Sequence, residues 1–137
     1  MPLKIVASET LRVGRALVVD ADSPVGRYAT VFEDDGETGV FYAVDTDIED
    51  GNPVQDALLV YVAADVSDAE LASTLEIGWS DDGLKALLLI NEHPHAAFDF
   101  ERRQGWCRLG YPAPTGTWSK AGHDWDDAVD ALFDGAA

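Results

Sequence analysis

A single cysteine, Cys107, stands among 137 residues, so no disulfide can close within the chain, and the scarcity of thiols suits a reducing compartment. Lysine is nearly as rare. Lys4, Lys85 and Lys120 join six arginines to make nine cations against 26 aspartates and glutamates, a net charge of −17. A surface so short of positive charge repels nucleic-acid phosphates and anionic lipid headgroups, and neither is an expected partner. It attracts a basic protein. The same acidity also serves solubility or a salty cytoplasm with no partner at all, and composition does not choose between the two. Long apolar runs are missing as well: "ALLVYVAA" at 57–64 and "ALLLI" at 86–90 are the longest, well short of the eighteen or so residues that span a membrane. Lys4, Glu9, Arg12 and Arg15 interrupt the apolar residues of the N-terminal stretch, which therefore lacks a signal peptide's apolar core. A cytoplasmic location is the expectation.

What is present is strand-like. An apolar share of 47% and a charged share of 26% are ordinary for a globular chain, and the length fits one domain over 1–137. "KIVA" (4–7), "GRALVVD" (14–20), "YATVFE" (28–33) and "VFYAVD" (40–45) are short apolar or alternating segments. The last two flank "DDGETG" and read as a β-hairpin. "DALLVYVA" (56–63) follows Asn52-Pro53, which could cap a helix, but its β-branched and aromatic content favours a strand. "SDAE" (67–70) has capping-box spacing and could hold one helical turn. From Leu75 on, "LEIGWS", "LKALLLI", "HAAFDF" and "GWCRLG" are separated by "DDG", "NEHP" and "ERRQ", the pattern of a four-strand meander. "LKALLLI" is apolar on both faces and should lie centrally, covered on both sides. The cover is expected from "HDWDDAVDALFDG" (123–135), where Trp125, Ala128, Val129, Leu132 and Phe133 fall on one helical face. The fold class these patterns predict is α+β: one mainly antiparallel β-sheet of about six to eight short strands, with one C-terminal amphipathic helix packed on a face.

Chemistry-bearing residues are few. "DTDIEDGNPVQD" (45–56) carries acids at the first, third and fifth places, but glycine comes seventh, where an EF-hand needs it sixth. It reads as a solvated acidic loop, with Asp45, Asp47, Glu49 and Asp56 a weak cation site of another shape at most. His93 and His95 share a strand face and could share a metal ion, although Pro94 between them favours a turn. His95 also shares a face with Asp99, the outline of an acid–base pair without a nucleophile. By alternation Cys107 is a core residue. Trp79 and Trp125 fit core faces, which leaves Trp106 and Trp118 as candidates for an exposed contact surface. No phosphate loop, zinc signature or catalytic triad appears, so no cofactor is expected, and an enzyme is the third and least favoured reading.

"VFEDDGETGVFYAVD", "DALLVY", "IGWSDDGLKALLLIN", "PHAAFDF", "GWCRLGYP" and "DWDDAVDALF" together resemble the family numbered 2251 among bacterial domains of unknown function. The resemblance runs from about Tyr28 to Phe133. It implies a small soluble bacterial domain with no catalytic residue to carry over. Trp79, Asp81, Asp82, Asn91, His95 and Asp99 lie on the matching stretches.

The functional expectation is a non-enzymatic protein-binding module, immunity-like or inhibitor-like in size and charge, with a basic protein as partner. If the two Asp-Asp-Gly tips lie at the same end of the sheet, Asp34, Asp35, Asp81 and Asp82 form one negative docking patch, with Trp106 as a neighbouring contact. Otherwise both stretches are turns alone. The alternative is a small-ligand or metal-binding protein using His93, His95 and Asp99.

Overall fold

A computed structural model describes residues 3–48, 51–67, 70–113, 118–126 and 129. Nine strands run through them: β1 Leu3–Leu11, β2 Leu17–Asp22, β3 Tyr28–Asp34, β4 Thr38–Asp45, β5 Val54–Val62, β6 Ser73–Ser80, β7 Lys85–Ile90, β8 His93–Asp99 and β9 Gln104–Cys107. The segment after Asn52-Pro53 is a strand, as its β-branched content favours. Both Asp-Asp-Gly stretches are turns. Asp34 and Asp35 accept the amides of Gly36, Glu37 and Thr38, and Asp82 accepts the Leu84 amide and the Ser80 hydroxyl. Gly36 and Gly83 take the left-handed φ values, 101° and 70°, that close such reversals. The turn between β7 and β8 is made by Asn91 and Glu92, both at positive φ, as in a two-residue hairpin. Pro94 lies inside β8, beside a register shift, one of the few places a sheet tolerates proline.

The strands form two antiparallel sheets, a five-stranded one in the order β1-β6-β7-β8-β9 and a four-stranded one in the order β2-β3-β4-β5. This corrects the expected α+β class with its single sheet. Alternation marks which residues are strand but not which sheet they join. β1 pairs with β6, Leu3 opposite Ser80, a partnership no local pattern announces. The expected C-terminal helix is also corrected: among the described residues the one helical element is the 3-10 turn Ala63–Asp65, and of the expected helix Val129 alone has helical backbone. His123–Asp126 should have opened that helix. Instead His123 bonds β9 through its carbonyl and Asp124 makes a parallel bridge with Cys107. The competing force is β9's free edge, whose Cys107 amide needs an acceptor. The remainder of 127–135 other than Val129 lies outside the described residues, as do Asp68 and Ala69 of the expected "SDAE" turn.

The inward faces of the two sheets share one core. Phe32 and Phe41 of the smaller sheet meet Trp79 and Phe98 of the larger, with Phe41 and Phe98 stacked at 5.2 Å. Trp79 and Trp118, both buried, converge on Phe100. β7 holds the middle of its sheet, as its two-sided apolar pattern requires. Ala86 and Leu88 face the shared core, while Leu87 joins Ala97, Trp106 and Val129 in a second cluster on the sheet's outer face. The sheets approach each other along both edges, β1 beside β2 and β5 beside β9.

Candidate functional site

The β5–β9 edge carries the most concentrated chemistry. Asp56 stands opposite Ala43 of the core, so its carboxylate points inward. It accepts the Ser119 hydroxyl at 2.6 Å and the His123 Nε2 at 2.9 and 3.0 Å. Ser119 in turn accepts the Gly105 amide of β9 at 2.8 Å. The other ring nitrogen of His123, Nδ1, faces the Pro112 carbonyl. Both nitrogens thus meet acceptors, and only the doubly protonated imidazolium donates to both. Burial by itself would lower the pKa of this ring. The hydrogen bonds to Asp56 and Pro112, with the charges of Asp56 and Asp124, outweigh it and raise the pKa above the ordinary value. Serine, aspartate and histidine here do not make a nucleophile. The carboxylate sits between the other two, the hydroxyl does not touch the ring, and Ser119 and His123 are buried. The cluster is a seam that ties the loop around 118–123 to β5 and β9.

None of this was legible beforehand: Asp56 read as part of an acidic loop and His123 as a helix start. Asp45, the first residue of that loop, is likewise committed, paired with Arg27 at 3.2 Å. Glu49 lies outside the described residues. Asp45 and Asp56 therefore do not form a cation site together.

The four tip aspartates are not brought together. Ser23, in the β2–β3 turn, donates to the Gly83 carbonyl, which places the Asp81–Asp82 tip at that end. Asp34 and Asp35 lie at the far end of β3, about 20 Å away at strand rise. Asp34 is 1% exposed and accepts the amides of Gly14 and Gly36 and the Tyr61 hydroxyl, the last at 2.6 Å. It belongs to the interior. Trp106, expected to be exposed, is 9% exposed, and Trp118 is buried. His93 is exposed. His95 is half-buried, its pKa lowered by burial first and then by the charges of His93 and Arg108. Asp99 is buried, four residues along the strand from His95, and accepts the amides of Glu101 and Arg102. Among the described residues no group of three or more His, Cys, Asp or Glu could hold a metal ion.

Cys107 lies in the core, its thiol donating to the Tyr111 carbonyl, and burial raises its pKa. Thiol reagents are expected to leave the native protein unlabelled, with labelling that tracks unfolding as urea is added. Prompt stoichiometric labelling in native buffer would contradict the buried thiol.

The outer face of the four-stranded sheet departs from ordinary alternation. Register places Val31, Val40, Tyr42, Val44, Ala57 and Leu59 there side by side, all half-buried, and they belong to neither core cluster. A solvated face normally carries polar residues at these positions. Acids rim the patch on the β2 side: Asp20 and Asp22 are exposed, and Glu33 is half-buried. Glu33 and Asp35 lie close enough to Tyr42 to add to the effect of burial in raising the pKa of its phenol. Val18, 58% exposed, extends the apolar surface into that rim. The signal was present in "VFYAVD", whose outward residues are as apolar as its inward ones.

A family model described as an uncharacterized protein conserved in bacteria, DUF2251, matches residues 11–134. The match takes in 11–27, which the sequence resemblance did not reach. An uncharacterized protein of Haemophilus influenzae is 42% identical over 113 residues, which cover 82% of this chain and 70% of the relative. No solved structure matches. No helix among the described residues is long and apolar enough to cross a membrane.

Proposed function

The chain belongs to DUF2251, a family of uncharacterized proteins conserved in bacteria, and within it we propose that this protein is a cytoplasmic, non-enzymatic binding module that docks a basic protein. The supporting observation is the outer face of the four-stranded sheet, an apolar centre of Val31, Val40, Tyr42, Val44 and Leu59 beside an acidic rim of Asp20, Asp22 and Glu33. Protein interfaces are built in this way, with aromatic and aliphatic side chains at the centre and charges at the edge. The rim and the net charge of −17 select a partner of opposite sign and speed its approach. The Asp81–Asp82 tip, at the end of the molecule remote from Asp35, is no part of this surface.

The test is capture from bacterial lysate on immobilised protein, followed by titration of the retained partner. A basic protein is expected, held less tightly as salt rises. Its affinity should fall by about tenfold or more when Tyr42→Arg puts a cation in the patch, and should be unchanged in Asp81→Asn. Equal affinity in Tyr42→Arg, in a variant with unchanged melting temperature, would remove this face from the interaction.

A further inference from the structure

Cations are scarce in this chain, yet three of the nine line one groove. It has a volume of about 550 Å³ and opens between the β8–β9 turn and the loop around 118–122, bounded by Arg102, Arg103, Gln104, Ser119, Lys120 and Ala121. A second hollow of about 420 Å³ shares Arg102, Gln104 and Ala121 and continues to Trp106 and Trp125. Arg103 and Lys120 make no ion pair with the described residues, and Arg102 has only a 3.6 Å approach to the buried Asp99. The other acids near these cations are Glu101, next in sequence to Arg102, Asp45, already paired with Arg27, and Asp124 and Asp126, which line the far part of the second hollow. The chain has 26 acids, so leaving two cations unpaired at one place is unusual.

The backbone adds a second observation. Arg103 and Ser119, on opposite walls, both adopt left-handed φ values, 57° and 54°, and the Ser119 amide donates to the Arg103 carbonyl at 2.8 Å. A hairpin end with this geometry favours glycine or asparagine, because a Cβ there carries a steric cost. An arginine at such a position is held against its backbone preference. The walls are also rigid. Ser119 is locked to Asp56 and Gly105, and the Gln104 amide donates to the carbonyls of Gly105 and Gly122.

We propose that this groove is a binding site for a small phosphomonoester. Two guanidinium groups and an ammonium, less the charge of Asp99, match a dianion better than a carboxylate, and arginine forks suit phosphate oxygens. The volume fits a small molecule and not a polymer. The hollow toward Trp106 and Trp125 offers an aromatic wall to its organic part, and the buried Trp125 Nε1 has no hydrogen-bond acceptor among the described residues. Nucleic acid, with its long run of charge, is repelled by the acidic molecule as a whole. A single phosphate feels mainly the cations within a Debye length of about 8 Å.

Titration with phenyl phosphate, inorganic phosphate and benzoate at constant ionic strength, followed by amide and tryptophan-indole shifts in nitrogen-15 NMR, tests the assignment. Saturable shifts are expected at Arg102, Arg103 and Lys120 with phenyl phosphate, together with a shift of the Trp125 indole. Affinity for phenyl phosphate should exceed that for benzoate by about tenfold or more. Arg103→Gly should lose a similar factor while its melting temperature stays equal or rises, since glycine relieves the left-handed strain. Three outcomes would each overturn the proposal: shifts that do not saturate or scatter over the surface, benzoate binding as well as phenyl phosphate, or full affinity in Arg103→Gly. Equal affinity for inorganic and phenyl phosphate would assign the groove to free phosphate and overturn the monoester.

Discussion

Replacement of His123 by alanine is expected to destabilise the protein by about 3–5 kcal/mol, the cost of leaving one member of a buried ion pair without its partner. Asp56 would keep only the Ser119 hydroxyl and the amide of its own neighbour Ala57, inside a seam where the His123 side chain is 1% and the Asp56 side chain 8% exposed. Urea unfolding at neutral pH measures this as a shift of midpoint at constant slope. The double variant Asp56→Ala, His123→Ala should lose less than the sum of the single losses, because it leaves no buried charge unpaired. The pH dependence has a definite sign. His123 has a folded pKa above that of the unfolded chain, so its contribution is complete below about pH 6.5. It is lost as pH rises through the folded value. The wild type should therefore surrender stability across that window, while His123→Ala shows no such step. Parallel stability–pH profiles for the two proteins would refute the charged ring.

Asp34→Asn is expected to cost about 2–3 kcal/mol, although it alters one atom and sits in what the sequence presents as an exposed turn. The carboxylate accepts two backbone amides and a phenol, and through them joins the β1–β2 turn to the β3–β4 turn. An asparagine keeps one acceptor oxygen and turns an NH2 toward groups that themselves donate. Tyr61 can reverse its hydroxyl to accept, but the amide of Gly14 or Gly36 cannot. Tyr61 also lies against Gly39, where a side chain would collide with its ring, so the glycine is what admits the phenol to this place. Asp81→Asn, at the exposed tip of the other Asp-Asp-Gly turn, should change stability by less than about 0.5 kcal/mol. Thermal or urea unfolding of the two variants side by side decides the matter. Equal, small effects would return Asp34 to the status of a turn residue.

Those two aspartates illustrate the limits of reading locally. Asp34 and Asp81 stand at the same place in the same tripeptide, and turn chemistry accounts for both. What separates them is Tyr61, 27 residues from Asp34 in sequence, whose phenol needs an acceptor. The apolar outer face of the four-stranded sheet was closer to the surface of the sequence. "VFYAVD" carries apolar residues at outward as well as inward positions, a departure visible in six letters, although its neighbours Ala57 and Leu59 become part of the same patch only through pairing. The cationic groove could not be foreseen, since Lys120 reaches Arg102 and Arg103 only because the chain returns across β9.

Sequence alone determined most of the strands, the reversals between β3 and β4 and between β6 and β7, and the central place of β7. Each depends on residues within a few positions of one another, on side-chain alternation, on glycine's left-handed conformation and on aspartate's bond to the next amides. Tertiary structure decided how the strands divide into two sheets, because β1 finds its partner in β6 and the chain crosses over twice to allow it. It also decided the path of the chain at His123 and Asp124. The helical period of 123–135 is a local preference worth little per residue. The open edge between β5 and β9 offers Asp56, Gly105 and Cys107 as buried polar groups that must be satisfied. In this protein His123 and Asp124 meet the demand of that edge and pair with β9.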